Sequence, residues 1–208
     1  MLVSVFGATG RTGALVRNEC LDRGWNVRAF ARDATKISSH PHLEIIQGDA
    51  RSPEDVARGI AGADAVLCCL GMNNIAVPAT DYSESVRYIV SAMELTPSRR
   101  LLAIAWAGVL AHPAGGYRNK ESLPQYLAHV SAEHVRNYET LRESALNWTL
   151  MCPVFLKADI PLGRGRFEFE SLPPGSNETG YADLAHTMVQ LISATGSYGK
   201  RVGIVSDR

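Results

Sequence analysis

The stretch V-S-V-F-G-A-T-G-R-T-G-A-L-V, residues 3–16, constrains the fold more than any other part of the chain. A strand-like apolar run ending at Phe6 is cut by Gly7, Gly10 and Gly13. Leu15 and Val16 then resume the apolar pattern at helical spacing. Three glycines at three-residue intervals between a strand and a helix require a backbone that turns tightly and stays bare. The helix that follows offers unpaired N–H groups and the positive end of its dipole to an anion. Placed there, the pattern marks a dinucleotide pyrophosphate site. Gly7 allows the turn, Gly10 leaves room for phosphates and Gly13 lets the helix pack on the strand. Thr9 and Thr12 offer hydroxyls to phosphate oxygens. The plain alternative is a glycine-rich turn without a ligand.

The rest of the chain continues the alternation. Strands are expected at "LVSVF", "NVRAFAR", "LEIIQGD", "DAVLCCL", "RRLLAIAWAG", "NWTLMCPVFL" and "KRVGIVS". Helices are expected between them. In "SPEDVARGIAG", Ser52 can cap, Pro53 suits the first turn and Asp55 can complete a capping box. In "SAEHVRNYETLRESAL", Val135, Tyr138 and Leu141 share one side. "DAVLCCL" is apolar throughout, as a strand covered on both faces should be. Alternating strands and helices predict an α/β fold: a Rossmann-type, doubly wound parallel sheet in a single domain spanning residues 1–208. Residues 111–125 and 161–179 read as irregular. With the turn after the fourth strand they predict a small substrate region made by loops 72–80, 107–128 and 154–180.

Composition narrows the function. Lys plus Arg number 21 and Asp plus Glu number 21, so the formal charge is zero. That balance argues against a general nucleic-acid or membrane-surface binder. No apolar run approaches the ~20 residues of a membrane span. The start, Met1-Leu2-Val3-Ser4, has no basic region or cleavage pattern, and the four cysteines at 20, 68, 69 and 152 show neither a disulfide framework nor metal-ligand spacing. A cytoplasmic protein with no metal is expected.

The end of the second strand chooses the nucleotide. A carboxylate there binds ribose hydroxyls of NAD, whereas a cation accepts the 2′-phosphate of NADP. "NVRAFARDATK" delivers Arg32, with Asp33 next and Lys36 nearby. A planar guanidinium suits phosphate, and Arg11 in the glycine loop adds a second positive group. NADP(H) is the expected cofactor. Asp33 keeps NAD(H) open as a second.

The glycine spacing is G-x-x-G-x-x-G. Together "GATGRTG", "GDARSPEDV", "EHVRNYETLRESALNWTLMCP" and "YADLAH" resemble the atypical short-chain dehydrogenase/reductases. Within them the NmrA-like NAD(P)H-binding group is most similar, on the side of the biliverdin-IXβ (flavin) reductases. The resemblance runs from Met1 to about His186. It implies further cofactor positions: Asp49 and Ala50 beside adenine, Leu70 and Gly71 beside ribose and pyrophosphate, and Pro153 and Val154 holding the nicotinamide carboxamide edge by backbone groups. It also places the usual catalytic hydroxyl pair on Ala105 and Trp106, where this chain has none. It implies His134 as a catalytic group at a helix start, able to donate a proton if its pKa stays near neutrality. Trp106 can stack on a planar substrate, fill the pocket, or serve as core.

A Tyr-x-x-x-Lys pair, the usual proton donor of such enzymes, is absent. The resemblance therefore implies an NADPH-dependent reductase passing hydride to a flavin-like or other planar small-molecule acceptor, with flavin as substrate and not as prosthetic group. The rival is a non-catalytic NADP(H) sensor of NmrA-like type. Monomer and homodimer are both open.

Overall fold

The computed structural model describes residues 1–72, 80–112, 115–118 and 127–208. Its elements alternate: β1 (Leu2–Phe6), α1 (Arg11–Asp22), β2 (Asn26–Ala31), β3 (Leu43–Gln47), α2 (Pro53–Ile60), β4 (Ala65–Cys68), α3 (Asp81–Glu94), β5 (Arg100–Ile104), α4 (Ala128–Glu143) and β6 (Asn147–Pro153). Then follow β7 (Phe155–Lys157), β8 (Gly165–Phe169), β9 (Glu178–Gly180), α5 (Tyr181–Gln190) and β10 (Lys200–Ser206). The main sheet has the order β3-β2-β1-β4-β5-β6-β10-β8, and β7 pairs with β9 separately.

The fully apolar strands are explained by two cores. Along β5, Leu101 and Ala103 point into one core while Leu102 and Ile104 point into the other. Along β6, Leu150 and Cys152 face the first core and Met151 the second. Helices α2, α3 and α4 cover the first face with Val56, Ile89 and Leu141. Helices α1 and α5 cover the second with Val16, Cys20, Leu184 and Met188. A strand buried on both sides favours apolar residues at successive positions, and the buried polar exceptions Arg100 and Thr149 hydrogen-bond to each other at 2.8 Å. The main sheet is the Rossmann-type, doubly wound sheet expected from the sequence.

Four local expectations change. Strand β8 lies inside the 161–179 stretch that reads as irregular, and it runs antiparallel to β10 with Phe167 opposite Ile204. The sheet is thus parallel except at this edge. The fifth strand ends at Ile104, before Ala105 and Trp106. Ser52 does cap α2, accepting the Asp55 N–H at 3.2 Å. The Asp55 carboxylate, however, accepts the Asp49 N–H at 2.9 Å and so ties α2 to the end of β3 instead of closing a capping box. Helix α4 begins at Ala128, and its buried residues are Val130, Glu133, Asn137 and Leu141. Val135 and Tyr138 flank that face, partly buried. Of the expected substrate loops, residues 73–79, 113–114 and 119–126 lie outside the described residues.

Candidate dinucleotide site

A cleft of about 540 Å³ opens beyond the ends of β1, β2, β3 and β4. It brings together eight of the residues singled out in the sequence: Gly7, Thr9 and Gly10 from the loop, Arg32 after β2, Asp49 and Ala50 after β3, and Leu70 and Gly71 after β4. These segments converge because parallel strands all deliver their C-terminal ends to one side of the sheet.

The three glycines have separate tasks. Gly7 has φ +76°, and a Cβ on it would lie 2.7 Å from the Cys69 carbonyl oxygen. A Cβ on Gly13 would lie 2.1 Å from the Gly7 carbonyl oxygen, so Gly13 sets how closely α1 packs on the loop. A Cβ on Gly10 would meet only the Gly7 carbonyl oxygen, at 3.2 Å. The protein itself barely excludes a side chain at Gly10, which lines the cleft. Gly10 is also the N-cap of α1, with no side-chain cap and no acidic residue in the first turn. The positive end of α1 is left for an anion.

Arg32 is exposed and has no ion-pair partner among the described residues. Its neighbour Asp33 is occupied. It accepts the Thr35 N–H at 3.1 Å and the Thr35 hydroxyl at 2.6 Å, and Lys36 lies 3.4 Å away. The Thr35 hydroxyl first, then the Thr35 N–H, hold the Asp33 carboxyl below its ordinary range. A carboxylate so engaged is a poor acceptor for ribose hydroxyls, and the exposed guanidinium next to it suits a phosphate.

The other predicted residues sit elsewhere. Arg11 lies over the Tyr181 ring at 4.8 Å. Thr12 is buried and does not line the cleft. The Ala105 N–H donates to Met151 at 2.7 Å. The Val154 N–H is taken by the Thr179 hydroxyl at 3.2 Å, and Pro153 closes β6 against Ile204. Trp106 and His134 stack with ring centroids 6.2 Å apart and planes 21° apart. Neither lines the cleft. Tyr82 joins the two regions: it lines the cleft and meets His134 edge-on at 5.4 Å.

Burial pushes the His134 imidazole down to about 4. It sits in the second turn of α4, so the near-neutral proton donor at a helix start is not what the structure holds. At neutral pH the ring is uncharged.

Sequence reasoning missed Arg51, which lines the cleft and pairs with Asp49 at 2.7 Å and with Asp81 at 3.3 Å. The Arg51 hydrogen bond is the main reason the Asp49 carboxyl lies below its ordinary range. Tyr82 and Ser85 of α3 also line the cleft. Their three-residue spacing on one face of a helix was the available signal. Cys20, Cys68 and Cys152 are buried, and burial pushes the Cys20 and Cys68 thiols up to about 12, whereas Cys69 is partly exposed and lines the cleft. No metal-binding group occurs among the described residues, and no helix there is long and apolar enough to cross a membrane.

A parallel sheet whose first turn is a bare glycine loop over a helix N-terminus defines a dinucleotide-binding Rossmann class. The model of a family described as NAD(P)H-binding matches residues 7–195, and the chain belongs to that family. This agrees with the resemblance read from the sequence. An uncharacterized chloroplastic protein of Arabidopsis thaliana is 28% identical over 177 residues, covering 77% of this chain and 61% of that protein. The chain therefore spans under two thirds of that relative's length. A proposed NADH-flavin reductase from Streptococcus pneumoniae superposes with a TM-score of 0.82 at 20% identity, covering all of both chains (100% and 100%). A short-chain dehydrogenase/reductase (wide type) from Veillonella parvula, solved with NADP, gives 0.75 at 18% identity over 98% of this chain and 93% of that one. At these identities the likeness to the solved structures shows the fold alone.

Proposed function

We propose that the chain is an NADPH-dependent reductase that passes a hydride to a planar, flavin-type small molecule. The observation that carries this reading is the pairing, in one cleft, of an uncapped glycine loop with an exposed Arg32 that makes no ion pair among the described residues. Gly7 and Gly10 keep the backbone bare for the pyrophosphate, and Arg32 takes the 2′-phosphate. Asp49 and Ala50 sit at the adenine end, and Leu70 and Gly71 flank the ribose. When bound, the nicotinamide supplies the hydride. The acceptor's proton comes from water, so no side-chain acid is required. The protein's contribution is to hold two flat rings face to face.

One observation favours a second reading, a non-catalytic NADP(H) sensor. Positions 105 and 106 carry no hydroxyl, the Tyr82 hydroxyl is committed to the Ile104 carbonyl, and His134 is uncharged. The deciding experiment mixes the protein with NADPH and a panel of flavins, quinones and bilins and follows the loss of nicotinamide absorbance. Turnover with a flavin supports the reductase. NADPH binding without oxidation by any member of the panel supports the sensor.

A further inference from the structure

Strand β8 is the outer strand of the main sheet, and its far edge is unpaired among the described residues. The hydrogen bonds that flank its pairing with β10 fix which groups lie on that edge. The Glu170 N–H donates to the Arg201 carbonyl at 2.8 Å, and the Asp207 N–H donates to the Arg164 carbonyl at 3.0 Å. Antiparallel strands alternate residues that bond the neighbour with residues that face away from it. Residues 164, 166, 168 and 170 therefore face β10. The N–H and C=O groups of Gly165, Phe167 and Phe169 point outward, and no described residue takes them. The usual guards of an edge are missing too. This strand, G-R-F-E-F, has no Pro, no Lys and no bulge in its register with β10. Its Phe167 and Phe169 rings meet edge to face at 5.9 Å and are both exposed.

The strand is complementary to itself. Turned antiparallel about Phe167, it sets Arg166 opposite Glu168 of a second copy, and Glu168 opposite that copy's Arg166. Because Phe167 faces outward, the twofold axis passes through a hydrogen-bonded pair, and every outward N–H meets an outward C=O. The charged residues fall at the alternate positions, where facing side chains come closer. Arg166 holds Asp207 through Nε and Nη2, and Glu168 holds the Ser171 hydroxyl through Oε2. Nη1 and Oε1 are left to meet the second copy. Phe169 lies across from a glycine, Gly165, whose missing side chain leaves room for the ring. The opposite edge of the sheet lacks this match. The Val27 N–H bonds the His42 carbonyl and the Gly48 N–H bonds the Ala31 carbonyl, so Leu43, Ile45 and Gln47 of β3 face outward. Turning β3 about Ile45 sets Glu44 against Ile46. We propose that β8 is a dimerisation edge: two copies of this chain pair their β8 strands antiparallel about Phe167 and join their sheets through a closed twofold axis. The pairing holds whether the chain is a reductase or a sensor.

Sedimentation velocity of the full chain over a range of concentrations tests this, with circular dichroism to check that each variant folds. The wild type should sediment with twice the mass of one chain. Glu168→Arg sets like charges opposite each other at both pairs and should weaken the dimer roughly tenfold or more, and Arg166→Glu should do the same. An equal mixture of these two variants should pair again, because each strand then faces the opposite charge. Should Arg166→Glu fail to fold for want of its Asp207 pair, Phe167→Lys replaces it: two ammonium groups meet on the axis, and the dimer should again weaken roughly tenfold or more. A wild type that stays monomeric at every concentration overturns the proposal, and so does one that assembles beyond two copies. A dimer of unchanged strength in folded Glu168→Arg or Phe167→Lys also overturns it, since that dimer would use another face. Folded Glu168→Arg and Arg166→Glu that remain monomeric when mixed overturn the register about Phe167.

Discussion

The Glu133 carboxylate, fully buried on α4, accepts the Ser83 N–H at 2.8 Å and the Ser83 hydroxyl at 2.8 Å in the first turn of α3. One helix thereby caps another. Thr80, the N-cap residue of α3, makes no side-chain cap bond, and Arg136 pairs with the same carboxylate. This contact fixes the helix that carries Tyr82 and Ser85 into the cleft.

Glu133→Ala should therefore destabilise the fold by about 3 kcal/mol, the combined effect of losing charge-assisted hydrogen bonds at a buried site. Glu133→Gln should cost less, since the amide oxygen still accepts. Urea unfolding of the two variants measures this. Equal stability for Glu133→Ala and the wild type would refute the capping role.

The glycine loop separates folding from binding. Gly13→Ala puts a methyl 2.1 Å from the Gly7 carbonyl oxygen and should cost several kcal/mol or prevent folding. Gly10→Val, with its nearest contact at 3.2 Å, should keep its circular dichroism spectrum yet lose NADPH binding by fluorescence titration. Dinucleotide binding that survives Gly10→Val would place the phosphates elsewhere.

Arg32 should set nucleotide choice. Calorimetric titration of the wild type should show NADP(H) bound more tightly than NAD(H). Arg32→Ala should remove about 1–3 kcal/mol of that difference. Equal affinities in the wild type would end the argument from Arg32, and Asp33 offers no compensation while Thr35 and Lys36 hold it.

His134 should make stability depend on pH. Its folded value, about 4, lies below the 6.5 of a free imidazole. Between these values the unfolded chain binds a proton that the folded chain does not. Stability from this group is complete above about pH 6.5, falls as pH drops toward 4, and levels below. The slope contributed is up to about 1.4 kcal/mol per pH unit. Denaturant midpoints of the wild type and His134→Phe between pH 4 and 7 should show a flatter profile in the variant. Parallel profiles would mean that the imidazole titrates normally in the fold.

Why some features were legible and others not follows from what each depends on. Gly7, Gly10 and Gly13 were readable because a bare turn between strand and helix is a local demand. Arg32 and the ends of β3 and β4 followed once the strands were placed. Strand β8 was not readable: G-R-F-E-F sits among loop residues, and only its pairing with β10 makes it a strand. The Asp55 carboxylate was assigned to a local capping box, but a long-range donor, the Asp49 N–H, claims it. Burial decided His134, since an imidazole's pKa depends on packing that a single chain does not display. Glu133 is buried only because α3 packs against α4, a long-range contact that helical periodicity does not display.

The antiparallel edge has a consequence for how this chain emerges from the ribosome. Strand β10 is the last of the sheet to be translated, yet it lies between β6 and β8. From Phe169 at the end of β8 to Ser206 at the end of β10, 206 − 169 = 37 residues must be added. At ~5–20 residues per second that takes about 2–7 seconds. During this interval β6 has an open edge and β8 has no partner, with Phe167 and Phe169 uncovered. Even in the finished fold these two rings remain 40% and 41% exposed. An unpaired aromatic strand is a template for pairing between chains. Synthesis rate and nascent-chain chaperones should therefore govern yield through these few residues, independently of how stable the completed sheet is.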